Sequence, residues 1–367
     1  MTHWPLRVTR RSWHRGRTGL VLAVATVATC ALVQSSDAAT SGAMPGSDPQ
    51  AQALLQRAVD AERATTYQGV EVMSVDVDPS PATSLPGTGA TTAVVNVTHL
   101  AGEGTVLVED TDNGTPGEAA FSAESTGTDS SRPNLLLGLL GRSYRLQLDT
   151  DDVIAGRTAR VVVAWRADGT VAARFWVDSA TGLLLRRDVI APDGHLIGTS
   201  EFVQLTLTAA APGHLPVMLP PPTGQVLSDR QLDSWDSQGW PCPRVLAGLS
   251  LFDARVETSG GSHVLHLTYS DGLSTVSVFV QPGSLDPTGL AASAAVVGGQ
   301  RVWERPGAPR QVLWSGGGHV ITVVADAPAQ TIDAVVAALP HPGDGQDGWA
   351  RVTRGLARVV SWLNPFA

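Results

Sequence analysis

The segment from Phe175 to Leu196 carries apolar side chains on both faces of a strand-like pattern. In a β-strand, successive side chains point to opposite faces of the sheet. One face of this segment would carry Phe175, Val177, Leu183, Leu185 and Val189, and the other would carry Trp176, Leu184 and Ile190. An antiparallel sheet with two apolar faces must cover both of them. We therefore expect helices on one side and a loop, a second domain or a ligand on the other.

The pattern of apolar residues predicts a first domain at residues 48–208. Asp48 and Pro49 are a good N-cap and first helical residue, and apolar residues then recur at helical spacing to about Ala64. Short period-two segments follow, bounded by glycine, proline and aspartate turns, with one short helix predicted at 133–140. The prediction is a helix plus a long antiparallel meander.

A change of composition predicts a linker or a lid at 209–240, which has three consecutive prolines, 220–222, at its centre. Such a segment stays extended and is excluded from central strands. Period-two segments resume after it, and a helix at 329–338 closes a smaller α+β domain at 241–340. The predicted fold class is α+β in both domains.

The two ends of the chain read differently from the domains. Residues 1–38 have an arginine-rich start, an apolar run at 19–33 and small residues after it, the pattern of an export signal peptide. The last segment, 349–367, has a helical pattern with one apolar face. Arg351, Arg354 and Arg358 lie together nearly opposite that face, typical of a helix that contacts an anionic membrane surface or packs on a protein. Membrane contact and docking on its own domain both remain open for this tail.

Composition excludes several classes of function. All 25 basic residues are arginine, so a Walker-type phosphate loop, a Schiff-base lysine and an SxxK acyl-transfer site are absent. A formal net charge of −9, more negative once an arginine-rich leader is lost, argues against nucleic acid as a partner. Without the leader Cys242 is the one cysteine left, which we interpret as a small packed thiol.

We find no sequence pattern for catalysis, a cofactor or a metal site. His263 and His266 have an H-x-x-H spacing, but they lie in a strand pattern where residues three apart point to opposite faces. The aspartates at 149, 151 and 152 read as a solvated turn between two strands. We therefore predict a protein that is not an enzyme and has no cofactor. A hydrolase whose residues meet only in space is the least favoured alternative.

Four stretches of the sequence resemble the MucB/RseB family of regulators of the extracytoplasmic sigma-E response. They are LLQRAVDAERATTYQGV at 54–70, LLGRSYRLQL with VIAGRTARVV at 139–162, FWVDSATGLLLRRDVIAPDGHLIGTSEFVQL at 175–205 and YSDGLSTVSVFVQP at 269–282. The last two are specific in combination. Residues 78–130 match poorly and are rich in glycine, threonine and serine.

The resemblance implies a fold and a mode of action. The first domain would be a LolA-like curved antiparallel half-barrel with helices on one face, and the second a smaller C-terminal α+β domain. Family members lie outside the cytoplasmic membrane and bind the outer part of a membrane-spanning anti-sigma factor until a lipid-type signal releases them. The implied ligand-binding residues are Trp176, Leu183, Leu185 and Phe202, and the implied partner-binding residues are Tyr269, Asp271 and Phe279.

Two functions from different classes stay open at this point. The first is an exported regulator that binds an anti-sigma factor and senses lipid, with an acyl chain in a concave apolar cavity. The second is a lipid or lipoprotein carrier that uses the same concavity for transport. A carrier does not need the second-domain stretch at 269–282, whereas a regulator would use it to bind protein.

Overall fold

The computed structural model describes residues 43–75, 91–101, 104–110, 116–123, 132–208, 224–259, 262–287, 290, 292–305 and 309–341. The first part of the chain contains α1 (Pro49–Ala64), β1 (Tyr67–Val75), β2 (Thr91–Leu100), β3 (Gly104–Asp110), β4 (Pro116–Ala123), α2 (Arg132–Ser143), β5 (Arg145–Leu148), β6 (Asp152–Ile154), β7 (Arg157–Trp165), β8 (Val171–Asp178), β9 (Leu184–Ile190) and β10 (Leu196–Leu207). The predicted leader, 1–38, and the predicted tail, 349–367, with Arg351, Arg354 and Arg358, lie outside the described residues.

The strands of the first domain form one ten-stranded antiparallel sheet. Its order is β4-β3-β2-β1-β10-β9-β8-β7-β5, with β6 paired to β7. In the described part of the chain no ladder joins β4 to β5, so the sheet is open. The sheet with its two helices confirms the predicted α+β class.

Helix α1 begins and ends where the sequence indicates. The Asp48 side chain accepts a 2.8 Å hydrogen bond from the Gln50 amide, and Pro49 supplies the first helical residue. The helix ends at Ala64, and the backbone of the next residue, Thr65, is already extended. Its buried residues, which include Leu54, Leu55 and Ala58, recur three and four apart and face the sheet.

Both faces of the first sheet are buried, as the sequence predicts. One side, which we call the helix-facing side, packs Val162, Phe175 and Val177 in a cluster with α1 and α2. On the opposite side, Val161 and Trp176 belong to a separate cluster. Strand alternation explains the division, because adjacent residues of β7 and β8 point to opposite faces.

The second domain is a nine-stranded antiparallel sheet with two helices. Its elements are β11 (Gln225–Val226), α3 (Asp229–Ser237), β12 (Val245–Leu246), β13 (Leu249–Ser259), β14 (Ser262–Ser270), β15 (Thr275–Pro282), β16 (Ser293–Val297), β17 (Gln300–Arg305), β18 (Arg310–Gly316), β19 (His319–Asp326) and α4 (Ala329–Ala338). The strand order is β11-β13-β14-β15-β19-β18-β17-β16, with β12 paired to β13. Helix α4 packs Ile332, Val335 and Val336 into the core of this domain.

The structure departs from the sequence analysis in the segment assigned to the linker, 209–240. Its second half forms β11 and α3, and Leu227 and Leu232 join the core of the second domain. Helix α3 has a capping box between Ser228 and Gln231. This pattern is a sequence signal for the start of a helix, but the proline-rich composition of the segment favoured a linker.

Candidate functional site

The four residues predicted to bind a ligand divide between two clusters in the first domain. Leu183 and Phe202, 2% and 7% exposed, lie in a cluster with Tyr67, Val95 and Ala61 of α1. Trp176 and Leu185, 6% and 1% exposed, lie in the opposite cluster. The structure therefore does not bring the four together on one surface.

A β-bulge explains why Leu185 lies apart from Leu183. The register between β8 and β9 shifts between Trp176 and Val177, so that Trp176 pairs with Arg186 while Val177 pairs with Leu184. A bulge breaks strict alternation of side chains between the two faces. Strict alternation through this point would place Leu183 and Leu185 on one face, as the sequence predicted.

Trp176 is held by polar neighbours on its side of the sheet. Its indole N–H donates a 2.9 Å hydrogen bond to Asp152 Oδ2, and the Arg186 guanidinium lies 4.7 Å from the ring centroid. Arg186 also pairs with Asp188 and Glu201 at 2.9 and 2.7 Å. A hydrogen bond from the Val153 amide, and then the one from Trp176, hold the pKa of Asp152 below its usual value. These contacts fix the indole as part of a packed, ion-paired surface.

A recess of about 240 Å³ lies next to this indole. It is lined by Asp149, Thr150, Asp151, Asp152, Val161, Arg174 and Trp176. The walls are mainly polar, which is unlike a site for an acyl chain. Within the described ranges, no group of three or more histidine, cysteine, aspartate or glutamate side chains could hold a metal ion.

The helix-facing side carries a carboxylate that the sequence analysis missed. Glu71 pairs in register with Val95 and Phe202 and is bonded to Ser200. Burial raises the pKa of Glu71, and the hydrogen bond from Ser200 only partly opposes that shift. The sequence did indicate that Glu71 faces the apolar side. Tyr67, Gly69, Glu71 and Met73 are two residues apart along β1, and residues at that spacing lie on the same face of a strand.

Replacing Glu71 by glutamine is expected to stabilise the protein at neutral pH, by roughly 1 kcal/mol. Glutamine keeps a polar group near Ser200 but carries no charge that burial penalises. Because the folded-state pKa is raised, the unfolded chain ionises first, and the wild type loses stability relative to the variant as pH rises above 4.5. Urea unfolding at about pH 4 and about pH 8 checks this, and an equal difference at both values contradicts it.

The two domains meet at a loop that connects β14 and β15. We call residues 270–274 the junction loop. The hydroxyl of Tyr144, the residue that follows α2, donates a 2.6 Å hydrogen bond to Asp271 Oδ2, and Arg187 of β9 donates one of 2.8 Å to the Leu273 carbonyl. Leu273, 6% exposed, belongs to the apolar cluster of the first domain although the loop that carries it connects two strands of the second.

Local hydrogen bonds preorganise the junction loop. Asp271 Oδ1 accepts bonds from the amides of Leu273 and Ser274, at 2.9 and 2.7 Å. Gly272 has a φ of +94°, and a Cβ built there would lie 2.4 Å from the Leu140 amide nitrogen of α2. Glycine suits this position because it tolerates positive φ and lets two backbones approach closely. Asp271 is therefore engaged within the chain.

The other two predicted partner-binding residues have different environments. Tyr269 is fully buried in the core of the second domain, and its hydroxyl donates a 2.9 Å bond to the Pro243 carbonyl. Phe279 is half-buried on the other face of the same sheet and stacks on His266, with ring centroids 4.2 Å apart. His263 instead contacts Trp235, so the two histidines lie on opposite faces. Of the three, Phe279 is the one available to a partner.

Comparison with known proteins identifies the family. A model of the MucB/RseB N-terminal domain matches residues 50–224, and a model of the MucB/RseB C-terminal domain matches residues 234–340. The chain belongs to the MucB/RseB family. The resemblance inferred from the four stretches of sequence is thereby confirmed.

One curated relative is the "Sigma factor AlgU regulatory protein MucB" of Pseudomonas aeruginosa, 28% identical over 197 residues. The match covers 52% of this chain and 59% of the length of that relative. Among solved structures, the complex of MucA and MucB of Pseudomonas aeruginosa is 20% identical, with a TM-score of 0.47, and the match covers 80% of this chain and all of that one. A LolA superfamily protein of Nitrosomonas europaea has 11% identity and a TM-score of 0.19, over 44% of this chain and 94% of that one.

The boundary between the two MucB/RseB domain matches, 224–234, falls within the segment predicted as the linker, 209–240. Helix α3 begins at Asp229, before the second match starts. In the described ranges, no helix has both the length and the apolar character that crossing a membrane requires.

Proposed function

We propose that this chain is an exported, non-enzymatic regulator of an extracytoplasmic sigma-factor response. It binds the outer part of a membrane anti-sigma factor and senses lipid with its first domain. Residues 1–38 direct export, and the basic tail at 349–367 contacts the membrane surface through Arg351, Arg354 and Arg358. The observation that carries this proposal is the presence of both MucB/RseB domains, linked by the junction loop.

The first domain supplies the surface for lipid in this proposal. We place an acyl chain on the helix-facing side of a LolA-like half-barrel, next to Leu183 and Phe202. The sequence had left the opposite side for a ligand, but the recess on that side has mainly polar walls. The openness of the sheet supports this placement, since no ladder closes it in the part of the chain that the structure describes. Trp176 and Leu185 lie in the opposite cluster, and we assign them to packing.

The second domain supplies the surface for the protein partner. Phe279 is half-buried on the sheet face that α3 and α4 do not cover, and such aromatic side chains are frequent anchors of protein interfaces. Tyr269 supports that face from the core, and Asp271 holds the domain to the first one.

Replacing Phe279 by alanine is expected to weaken binding of the outer anti-sigma segment about tenfold, the usual loss for a buried aromatic anchor. Calorimetric titration of the purified chain with that segment measures the effect. Val296, 73% exposed on the edge strand β16, supplies the control, because Val296→Ala should leave the affinity within about twofold. Equal affinities for the wild type and the Phe279 variant would remove Phe279 from the interface.

A lipid or lipoprotein carrier is the second candidate, because the same first domain suits transport. The two functions separate in one experiment with the full chain. A regulator captures the anti-sigma factor from solubilised membranes. A carrier captures no membrane protein and extracts fluorescent lipid in a one-to-one ratio.

A further inference from the structure

Arg187 occupies an unusual position on the helix-facing side of the first sheet. It pairs in register with Phe175 on one side and with Ser200 on the other, and Ser200 pairs with Met73. Phe175 belongs to the cluster under α1 and α2, whereas Met73 packs on the cluster that contains Phe202. The guanidinium of a half-buried arginine therefore lies between two apolar clusters, on the surface that we assign to lipid.

The guanidinium of Arg187 lacks a direct carboxylate partner among the described residues. Its hydrogen bond goes to a neutral carbonyl, that of Leu273, and its Nε is buried without a partner. Burial lowers the pKa of Arg187, and Asp326 and Asp271 of the second domain oppose the shift through space. Among the described residues, no carboxylate contacts this guanidinium directly. Arginine stays charged in proteins, so this is a cation with unused capacity for an anion.

Two other arginines of the same sheet pair with carboxylates. Arg157 pairs with Asp178 at 2.7 Å, and Arg186 pairs with Asp188 and Glu201 on the opposite face. The carbonyl at Arg187 is thus a weaker acceptor than those found by its neighbours, because bonds to ionised acceptors are roughly twice as strong.

Leu273, the residue bonded to Arg187, combines a polar and an apolar group in the way that the headgroup end of an amphiphile does. Leu273 presents a carbonyl oxygen to the guanidinium and an aliphatic side chain to the apolar cluster that includes Leu140 and Phe175. Both groups come from the second domain. An acyl chain with an oxygen-bearing headgroup offers the same two features in one molecule.

We propose that Arg187 is the headgroup site for an anionic, single-chain amphiphile, and that the Leu273 carbonyl occupies this site when no ligand is bound, so that the ligand and the junction loop compete. The inference rests on the proposed lipid sensing and names the headgroup chemistry and the element that lipid displaces. It does not depend on the identity of the protein partner.

Charge favours this competition. Asp271 lies in the junction loop, so displacement of the loop removes from Arg187 one of the two carboxylates that now oppose its desolvation, whereas Asp326 stays in β19. The cation then loses part of its compensation, and an anionic headgroup restores it. Glu71, which is bonded to Ser200, is a further carboxyl on this side of the sheet. Because burial raises its pKa, Glu71 carries less negative charge at a given pH and repels an anionic headgroup less. Each methylene of the chain that becomes buried adds about fourfold in affinity.

The first test is titration of the full chain with oleate, which carries a carboxylate, and with methyl oleate, which is neutral. We expect Arg187→Gln to weaken oleate binding about tenfold or more and to leave methyl oleate binding unchanged. Arg174 supplies the control because it is exposed on the opposite face of the sheet. Arg174→Gln removes the same charge away from the proposed site and should leave oleate binding unchanged. Equal binding of oleate and methyl oleate by the wild type overturns the headgroup site, whatever the variants do.

The second test follows the junction loop in the wild-type chain by hydrogen exchange. Oleate at saturation should lower the protection of the amides of Leu273 and Ser274, which now bond to Asp271. Unchanged or increased protection at saturation overturns the competition. Repeating the titration with a lysophosphatidylglycerol distinguishes a phosphate head from a carboxylate head. Failure of the anti-sigma factor to bind would reject the partner while leaving these results intact.

Discussion

Replacing Gly272 by alanine is expected to separate the two domains and to destabilise the chain by about 2–4 kcal/mol. The new Cβ would lie 2.4 Å from the Leu140 amide nitrogen and 2.6 Å from its Cα, and these backbone atoms of α2 cannot rotate away. The φ of +94° adds strain for any residue with a side chain. Relief requires that the junction loop withdraw, with loss of the Tyr144–Asp271 hydrogen bond and of Leu273 packing.

Gly194 separates the steric effect from the backbone effect. It follows Asp193 in another Asp-Gly turn, has a φ of +91°, and has open space where a Cβ would stand. Gly194→Ala therefore carries the strain alone, about 1 kcal/mol. Small-angle scattering reports the separation of the domains, and thermal unfolding reports the stability. If both variants lose the same stability and neither expands, the junction loop does not hold the domains together.

The sequence predicted the features of the fold that depend on local patterns, such as strand alternation and helix capping. Strand alternation at 171–190 predicted a sheet with two buried faces, and the capping signals at Asp48 and Pro49 predicted α1. Alternation failed at the bulge between Trp176 and Val177, because a bulge is set by how two strands pair. Leu185 was assigned to the wrong face for that reason.

The candidate site was harder to predict, because it depends on contacts between distant parts of the chain. Asp271 and Tyr144 are 127 residues apart, and nothing in either neighbourhood indicates their hydrogen bond. The environment of Arg187 was equally hard to predict. The adjacent Arg186 has the same side chain but pairs with a carboxylate, whereas Arg187 bonds to a backbone carbonyl of the second domain. Sequence resemblance drew attention to the stretch at 269–282, but assigning Asp271 to the domain junction required the structure.

Replacing Asp178 by asparagine is expected to cost about 2–3 kcal/mol, less than the roughly 3–5 kcal/mol for breaking a fully buried ion pair, because Arg157 is partly exposed. Asp178 is 1% exposed, and its Oδ2 accepts hydrogen bonds from Arg157 at 2.7 Å and from the Thr181 amide at 2.9 Å. These bonds close the turn between β8 and β9. Arg57 of α1 donates to the carbonyls of Ser179 and Ala180 in the same turn, so loosening it also loosens α1.

The acid dependence of the same variant tests the charge. Burial alone would raise the pKa of Asp178, but the bonds from Arg157 and Thr181 outweigh it and hold the pKa below its ordinary 3.8. A depressed folded-state pKa contributes stability that is present above 3.8 and is lost as pH falls through the folded-state value. The wild type should therefore exceed Asp178→Asn in stability at neutral pH, and the difference should shrink below pH 3.8.

Asp193 supplies the matched control for this substitution, since it opens the neighbouring turn from an exposed position and its carboxylate bonds to His195. Asp193→Asn should change the unfolding temperature little, whereas Asp178→Asn should lower it by about 5–10 °C. A difference for Asp178→Asn that persists undiminished in acid would mean that shape, and not charge, makes the aspartate necessary. In that case the turn in FWVDSATG would owe its stability to backbone geometry at Gly182, and the ion pair with Arg157 would contribute nothing measurable.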